Sequence, residues 1–260
     1  MWVLLIIGVA MIAGGVGLYF SRQASLNKAM DIKYYETSKI SEVVSIYDDI
    51  KGEIGGGNYN GTIVELKGTG STNNPLTAEF SKKPALYYEA TVVREYEVTE
   101  QEKDSDGNYR TVTKRKSETV SSNKLGTPFY LDDGSGKQIL IDIEGADLDL
   151  INSFDRFEQN APAGFSLSSL LSSGSKTLGY RYKEKMLPVG AKLYILGEAS
   201  DRRGELAVIK PQEKGKKFIV STKSEEEILK STEGAAMWKM VGAIALAVIG
   251  VGMVIGSFFA

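Results

Sequence analysis

The sequence predicts a mainly β (α+β) fold, an antiparallel barrel- or sandwich-like domain flanked by two transmembrane helices. Three observations carry this. Every charged side chain lies between Arg22 and Lys239, so both ends are uncharged apolar runs long enough to cross a bilayer. Between the ends, short runs rich in Val, Ile, Thr and Tyr alternate with Gly, Asp, Asn and Ser turn chemistry. No helical pattern of about 10 to 15 residues alternates with those strands, which argues against a doubly wound sheet.

The first apolar run, 2–20, would span roughly 28 Å as a helix, close to the hydrocarbon thickness of a membrane. The competing reading is a cleaved secretory signal, but no Lys or Arg precedes the run, and it exceeds the usual apolar core of such signals. The second run, 240–260, is uncharged and rich in Gly and Ala. Small residues four apart, Ala13 with Gly17 and Gly252 with Gly256, would allow close helix packing, although Gly and Ala are simply common in such helices. Two spans put both termini on one side and 21–239 on the other. Arg22, Lys28, Lys33 and Lys39 follow the first span, and Lys223, Lys230 and Lys239 precede the second, a bias that assigns the domain to the cytoplasm. The absence of cysteine agrees with a reducing compartment.

Beyond the first span, Thr37 or Ser38 would cap a helix carrying Ile40, Val43, Val44, Tyr47, Ile50 and Ile54 on one face, stopped by Gly55, Gly56 and Gly57. Strands are expected over 62–67, 86–102 and 109–122, the last two forming a protruding hairpin through Asp104, Ser105, Asp106, Gly107 and Asn108. A tighter hairpin joins 129–132 to 137–143 through Asp133, Gly134, Ser135 and Gly136. Later strands are expected at 178–186, 192–198, 205–210 and 217–221. The Ser-, Leu- and Gly-rich stretch 160–176 reads as a loop or short helix. Its apolar residues Phe165, Leu167, Leu170 and Leu171 are candidate partner contacts, lying against the headgroups or over an edge of the domain's own core. Ser224 with Glu227 forms a capping box for a helix leading into the second span.

Composition removes much chemistry. There is no Cys and no His, so a Cys/His zinc site, a thiol nucleophile and an imidazole base are all absent from these 260 residues. The spacing Asp104-x-Asp106-x-Asn108 resembles a calcium loop, but the sixth position is Tyr109 and the twelfth Arg115, so it reads as a turn. Ser-x-x-Lys occurs at Ser25, Ser121 and Ser173, no more often than chance supplies. Asp132, Asp133, Asp142, Glu144, Asp147 and Asp149 are crowded enough to suggest Mg²⁺ binding or acid/base work, against the plain reading of polar residues on half-exposed strands. Dispersed basic clusters and a sequence pI near 5.5 argue against nucleic acid.

Three blocks in order between the two runs resemble one family. Gly68, the step Pro75-Leu76-Thr77-Ala78 and then Lys83-Pro84-Ala85-Leu86-Tyr87-Tyr88 resemble its small-residue turn and Cys-x-Tyr-Tyr strand, with Ala85 where that cysteine would stand. Pro128-Phe129-Tyr130-Leu131 with Asp133-Gly134-Ser135-Gly136 is similar to its Pro-Phe-x-Leu-x-Asp-x-Thr-Gly hairpin. Glu184-Lys185-Met186-Leu187-Pro188-Val189-Gly190, followed by Leu193-Tyr194-Ile195-Leu196-Gly197, is similar to its Glu-x-x-Leu-x-x-Gly and Val-Tyr-Val-Leu-Gly pair. The family is the GIDE domain, also called BAM for "beside a membrane", found in the mitochondrial-anchored protein ligase and its chloroplast and prokaryotic relatives. The resemblance implies a domain that senses or binds beside a membrane, and in the eukaryotic ligases a RING finger after the second span. A RING needs Cys and His ligands that these residues lack, so ligase activity does not carry over.

Three functional expectations follow. The first is a RING-less, two-span scaffold or sensor without a cofactor, binding the lipid bilayer and a membrane protein partner, LemA-type by the resemblance, with the long hairpin as its contact arm. The second is a membrane-bound carboxylate- or Mg-dependent enzyme. The third is a homo-oligomer built on the glycine-containing spans.

Overall fold

The computed structural model describes residues 2–59, 61–103, 107–160 and 175–259. Both apolar runs are helical, but each belongs to a longer helix than its span. Helix α1 (Trp2–Tyr34) continues past Phe20, and α3 (Glu225–Ser257) begins well before Met240. Both are long and apolar enough to cross a membrane. The charged extensions, 22–34 and 225–239, form an antiparallel stalk that adds roughly 20 Å to each span.

The two helices pack through backbone rather than bulk. Gly8 and Gly15 of α1, and Ala236, Ala243, Gly250 and Ser257 of α3, are buried, repeating every seventh residue. That period keeps one face of each helix on its partner. A Cβ on Gly8 would lie 2.8 Å from the carbonyl oxygen of Gly250, and one on Gly250 would lie 2.7 Å from that of Gly8. Gly17, Gly252 and Gly256 would meet nothing within 4 Å, and Ala13 is exposed, so the pairs spaced by four lie off this seam.

Helix α2 (Ile40–Ile54) buries Ile40, Val43 and Tyr47, as its periodicity predicts, and ends on Gly55 at φ 82°. Its start differs from the expectation. Neither Thr37 nor Ser38 caps it, because Thr37 donates to Glu65 instead. The cap comes from a distant hairpin: the amide of Ile40 donates to Asp133 (2.8 Å) and that of Ser41 to Ser135 (3.1 Å).

Five strands close a barrel: β1 (Thr62–Ser71), β5 (Phe129–Asp132), β6 (Gln138–Ile141), β11 (Ala207–Ile209) and β10 (Lys192–Ser200), with β10 returning to β1. All neighbours are antiparallel except β6 and β11. The first half of β10 also pairs with β12 (Ile219–Ser221), which carries β7 (Asp147–Asp149) parallel to it, so a half-barrel opens from the same strand. Alternation along β10 explains why it is buried on both faces. Leu193 and Ile195 enter the barrel core with Leu66, Phe129, Leu131 and Ile141, while Tyr194 and Leu196 pack with Ile32 of α1 and Ile228 of α3. The stalk is thus glued to the barrel wall.

A second sheet leaves the barrel. Its order is β8 (Ile151–Glu158), β9 (Ser175–Pro188), β3 (Pro84–Lys103), with the short β2 (Leu76–Thr77) and the long β4 (Tyr109–Gly126) both bonded to β3. Strand β8 is not anticipated by the sequence, since Ile151–Glu158 mixes Asp, Arg and Glu with its aromatics and is mostly exposed. Gly250→Val should destabilise the full-length chain by about 1–3 kcal/mol through overpacking against backbone, whereas Gly252→Val should leave it unchanged. Thermal unfolding in detergent compares the two, and equal losses would refute the seam.

Candidate functional site

The folded domain offers a groove and an extended arm to a ligand. The first is a groove of about 1080 Å³ where the barrel wall meets the start of α3, lined by Lys67–Thr69, Asp132–Gly134, Lys192–Tyr194 and Thr222–Glu227. Its polar groups are mostly occupied by one another. Buried Glu65 accepts from Thr37 (2.6 Å) and from the Tyr194 hydroxyl (2.9 Å), and Lys67 bridges Glu65 (3.4 Å) to Glu225 (2.8 Å). Ser224 and Glu227 complete the expected capping box, each bonded to the other's backbone N–H. Burial, then the Glu65 carboxylate, pushes the Tyr194 phenol far above its ordinary value. Burial opposes the charge on Lys67, but Glu225 and Glu65 outweigh it and hold the ammonium above its ordinary value. Hydrogen bonding from Ser224 holds Glu226 below the carboxylate range. Each shift moves its group away from neutrality, the opposite of what a general acid or base needs. The groove is built to hold a shape, and its chemistry locks α3 to the barrel.

The second feature is the arm. From Tyr87 to Lys103 the hairpin of β3 and β4 reaches roughly 50 Å at about 3.3 Å per residue. Strand β9 supports it as far as Val98, and beyond that, among the described residues, the ribbon is two-stranded. It has little apolar core there. Carboxylates of β3 face bases of β4 instead: Glu97 meets Arg115 (3.3 Å), and Glu100 and Glu102 meet Lys114 and Lys116, while at the base of the arm Glu89 meets Lys124 (2.8 Å). Lower down, Arg181 of β9 joins Glu95 and Asp155, each at 2.9 Å, and buried Arg94 binds Glu118, Thr177 and Ser175. Among the described residues β4 pairs with β3 alone, so its outer edge is bordered by charged side chains, the usual protection of an exposed edge.

The residues of the sequence motifs are architectural. Pro84 opens β3 opposite Thr77, and Pro128 leads into β5. Phe129 and Leu131 fill the barrel, Tyr88 is buried beside Ala78 and Met186, and Tyr87 donates to Glu89 (3.1 Å), its phenol pushed up to about 12 by burial and by that carboxylate. Asp133 caps α2, and Gly136 turns the β5–β6 hairpin at φ 87°. Gly190, at φ 78°, turns β9 into β10 and donates to the carbonyl of Gly70 (2.8 Å). Gly197 leaves room for Val208 and Phe218, which a Cβ there would strike at 2.7 and 2.8 Å. Glu184 is the most consequential. It is buried on β9, accepts from the amides of Phe80 (2.6 Å) and Ser81 (3.4 Å) and from the hydroxyls of Ser81 (2.6 Å) and Ser153 (2.7 Å), and so ties the turn before β3 and the bulge of β8 onto the second sheet. Burial alone would raise its pKa, but these four donors prevail and hold it below the ordinary range.

The crowded carboxylates disperse. Arg203 takes Asp142 and Glu144, Lys28 takes Asp147 (2.5 Å), Lys223 takes Asp149 (2.7 Å), and Asp132 accepts from Gly134 and Gln138. Among the described residues no three Asp or Glu come together in a way that could hold a metal ion. The contact residues Phe165, Leu167, Leu170 and Leu171, and the turn residues Asp104, Ser105 and Asp106, lie outside the described residues.

A barrel carrying a β blade, held on two apolar helices of membrane-spanning length, marks this as a membrane protein with its folded domain between the helices. Residues 97–256 match the GIDE family, described as E3 ubiquitin ligase, and the chain belongs to that family. It is similar to the E3 ubiquitin-protein ligase SPL1 of Arabidopsis thaliana, 25% identical over 205 residues that cover 77% of this chain. Those residues are 55% of the relative, so the chain spans about half the length of the curated protein it matches. No solved structure matches it.

Glu184→Ala should cost roughly 2–3 kcal/mol, since it strands several buried donors. The folded pKa of Glu184 lies below the unfolded value of about 4.3, so its stabilisation is present above that pH and lost as pH falls through the folded value. Glu184→Gln should therefore flatten the acid limb of stability against pH, read as the denaturant midpoint; an unchanged slope would show that Glu184 does not titrate with folding.

Proposed function

We propose that this protein is a two-span membrane scaffold or sensor whose domain faces the cytoplasm and offers the β3–β4 arm to a partner. The arm is the observation that carries the reading. A ribbon that among the described residues extends beyond its supporting sheet, with an edge strand paired on one side only, suits recognition by strand addition. Anchoring at both ends concentrates the domain at the bilayer, so even a weak arm contact with another membrane-bound protein gains from effective concentration. The family resemblance points to a LemA-type membrane protein as that partner, and a second copy meeting through the outward Gly252 and Gly256 is the alternative.

The relative's name gives it ligase activity, and a RING transfers ubiquitin only on a zinc-bound scaffold of Cys and His. These 260 residues contain neither, so the reading assigns them the anchoring and recognition part of such a protein and no transfer chemistry of their own. The cations flanking the spans on the domain side, Arg22, Lys28, Lys230 and Lys239 among them, support the cytoplasmic orientation.

A photo-crosslinking residue at Thr111 or Thr113 in native membranes should capture a defined membrane protein, and shortening the hairpin between Glu97 and Arg115 should abolish capture while leaving the barrel folded. Capture that survives the shortened arm would overturn the proposal. Protease digestion of sealed vesicles should cleave the arm only from the cytoplasmic side.

A further inference from the structure

The seam between the helices is interrupted once. Seven residues beyond Gly15, the face of α1 that carries Gly8 and Gly15 presents Arg22, and the pairing of Gly8 with Gly250 and Gly15 with Ala243 continues to place it opposite Ala236, 2% exposed. A guanidinium does not fit a seat cut for a methyl group. Beside it lies a groove of about 270 Å³, lined by Arg22, Leu26, Ala236, Met237, Met240 and Val241.

Its height on the helices is set by aromatic residues. Tyr19 and Phe20 of α1 and Trp238 of α3 are all exposed within a turn of the groove, as side chains at a membrane–water boundary are. Two of the cations above it are paired, Lys28 with Asp147 at 2.5 Å and Lys33 with Glu233 at 2.6 Å. Lys239 donates to the Ser21 carbonyl and to the Ser25 hydroxyl (2.8 Å). Glu233 also lines the groove, but its bond to Lys33 leaves Arg22 with no ion pair or side-chain hydrogen bond among the described residues. A lone guanidinium therefore stands at headgroup height over an apolar floor.

We propose that this groove holds an anionic phospholipid of the domain-side leaflet. Arg22 pairs with the phosphate through its planar fork, and Met240 and Val241, on the membrane side, receive the upper acyl chain. A net negative headgroup is favoured because nothing in the groove other than Glu233, already paired, answers the arginine's charge. The inference rests on the two-span reading.

Trp238 reports on the site directly. The full-length chain has two tryptophans, and with Trp2→Phe only Trp238 remains. Reconstituted into phosphatidylcholine bilayers, this protein should be quenched by brominated phosphatidylglycerol more than by brominated phosphatidylcholine at the same mole fraction, with a local enrichment of about fivefold, the effect of one interfacial cation. Arg22→Gln should erase the preference, Arg22→Lys should keep part of it, and Lys230→Gln, an equal loss of charge higher on the stalk, should keep all of it. Equal quenching by the two lipids, or equal losses in Arg22→Gln and Lys230→Gln, would overturn the proposal. Absence of quenching by either lipid would overturn the membrane reading beneath it.

Discussion

The contact between Gly8 and Gly250, where two helices meet backbone to backbone, governs the rest of this molecule. It brings the first and last described elements together, so everything between must leave the helix pair and return to it. Close approach of the axes suits lipid, where burying a larger apolar side chain gains nothing over leaving it among acyl chains and dispersion between closely packed atoms becomes the useful term. The same register continues above the apolar region, where Ala29 and Ala236 are buried, and it delivers Ile32 and Ile228 to one patch of barrel wall. The barrel is therefore oriented by a rigid pair of rods rather than suspended from two loose ends.

Carboxylates, two of them buried, do the joining at each border. Glu65 ties the stalk to the barrel through Thr37, Tyr194 and Lys67; Asp133 ties α2 to the β5–β6 hairpin; Glu184 ties the second sheet to the turn that precedes it. In each case the acceptor satisfies donors from a segment distant in sequence, which is the role left to a buried polar group when it is not a reactive one. This explains why motif residues that carry the family resemblance gather at joints, whereas the arm is built from interchangeable ion pairs that are individually weak.

Much of this architecture is legible in the sequence because it follows from local pattern. The apolar runs, the period of α2, the turn residues between β5 and β6 and the capping box at Ser224 are each short-range signals, and the strands from Pro84 to Gly126 are long enough to declare themselves. What escaped is what depends on distant partners. Strand β8 has no alternation to betray it, the cap of α2 comes from a hairpin 93 residues away, and the helix seam runs at a spacing of seven that the four-residue glycine pairs obscure. The candidate grooves were invisible for the same reason: Arg22 reads as an ordinary flanking cation until its place opposite Ala236 is known.

Barrel closure has a further consequence for how the chain is made. Strand β1 has no full-length neighbour until β10 exists, and Glu65 waits for Tyr194, 129 positions later. Closing so large a loop is slow, and β6 must in turn wait for β11 to seal the ring. During synthesis the first span is already committed to lipid while the barrel is an open curl with bare edges, so the nascent domain spends its most aggregation-prone interval tethered to a surface, where encounters with other copies are constrained to two dimensions. Arrival of β11 then seals the ring, and a chain halted before it would present an anchored but unsealed sheet, a form that quality control could distinguish by its exposed strand edges alone.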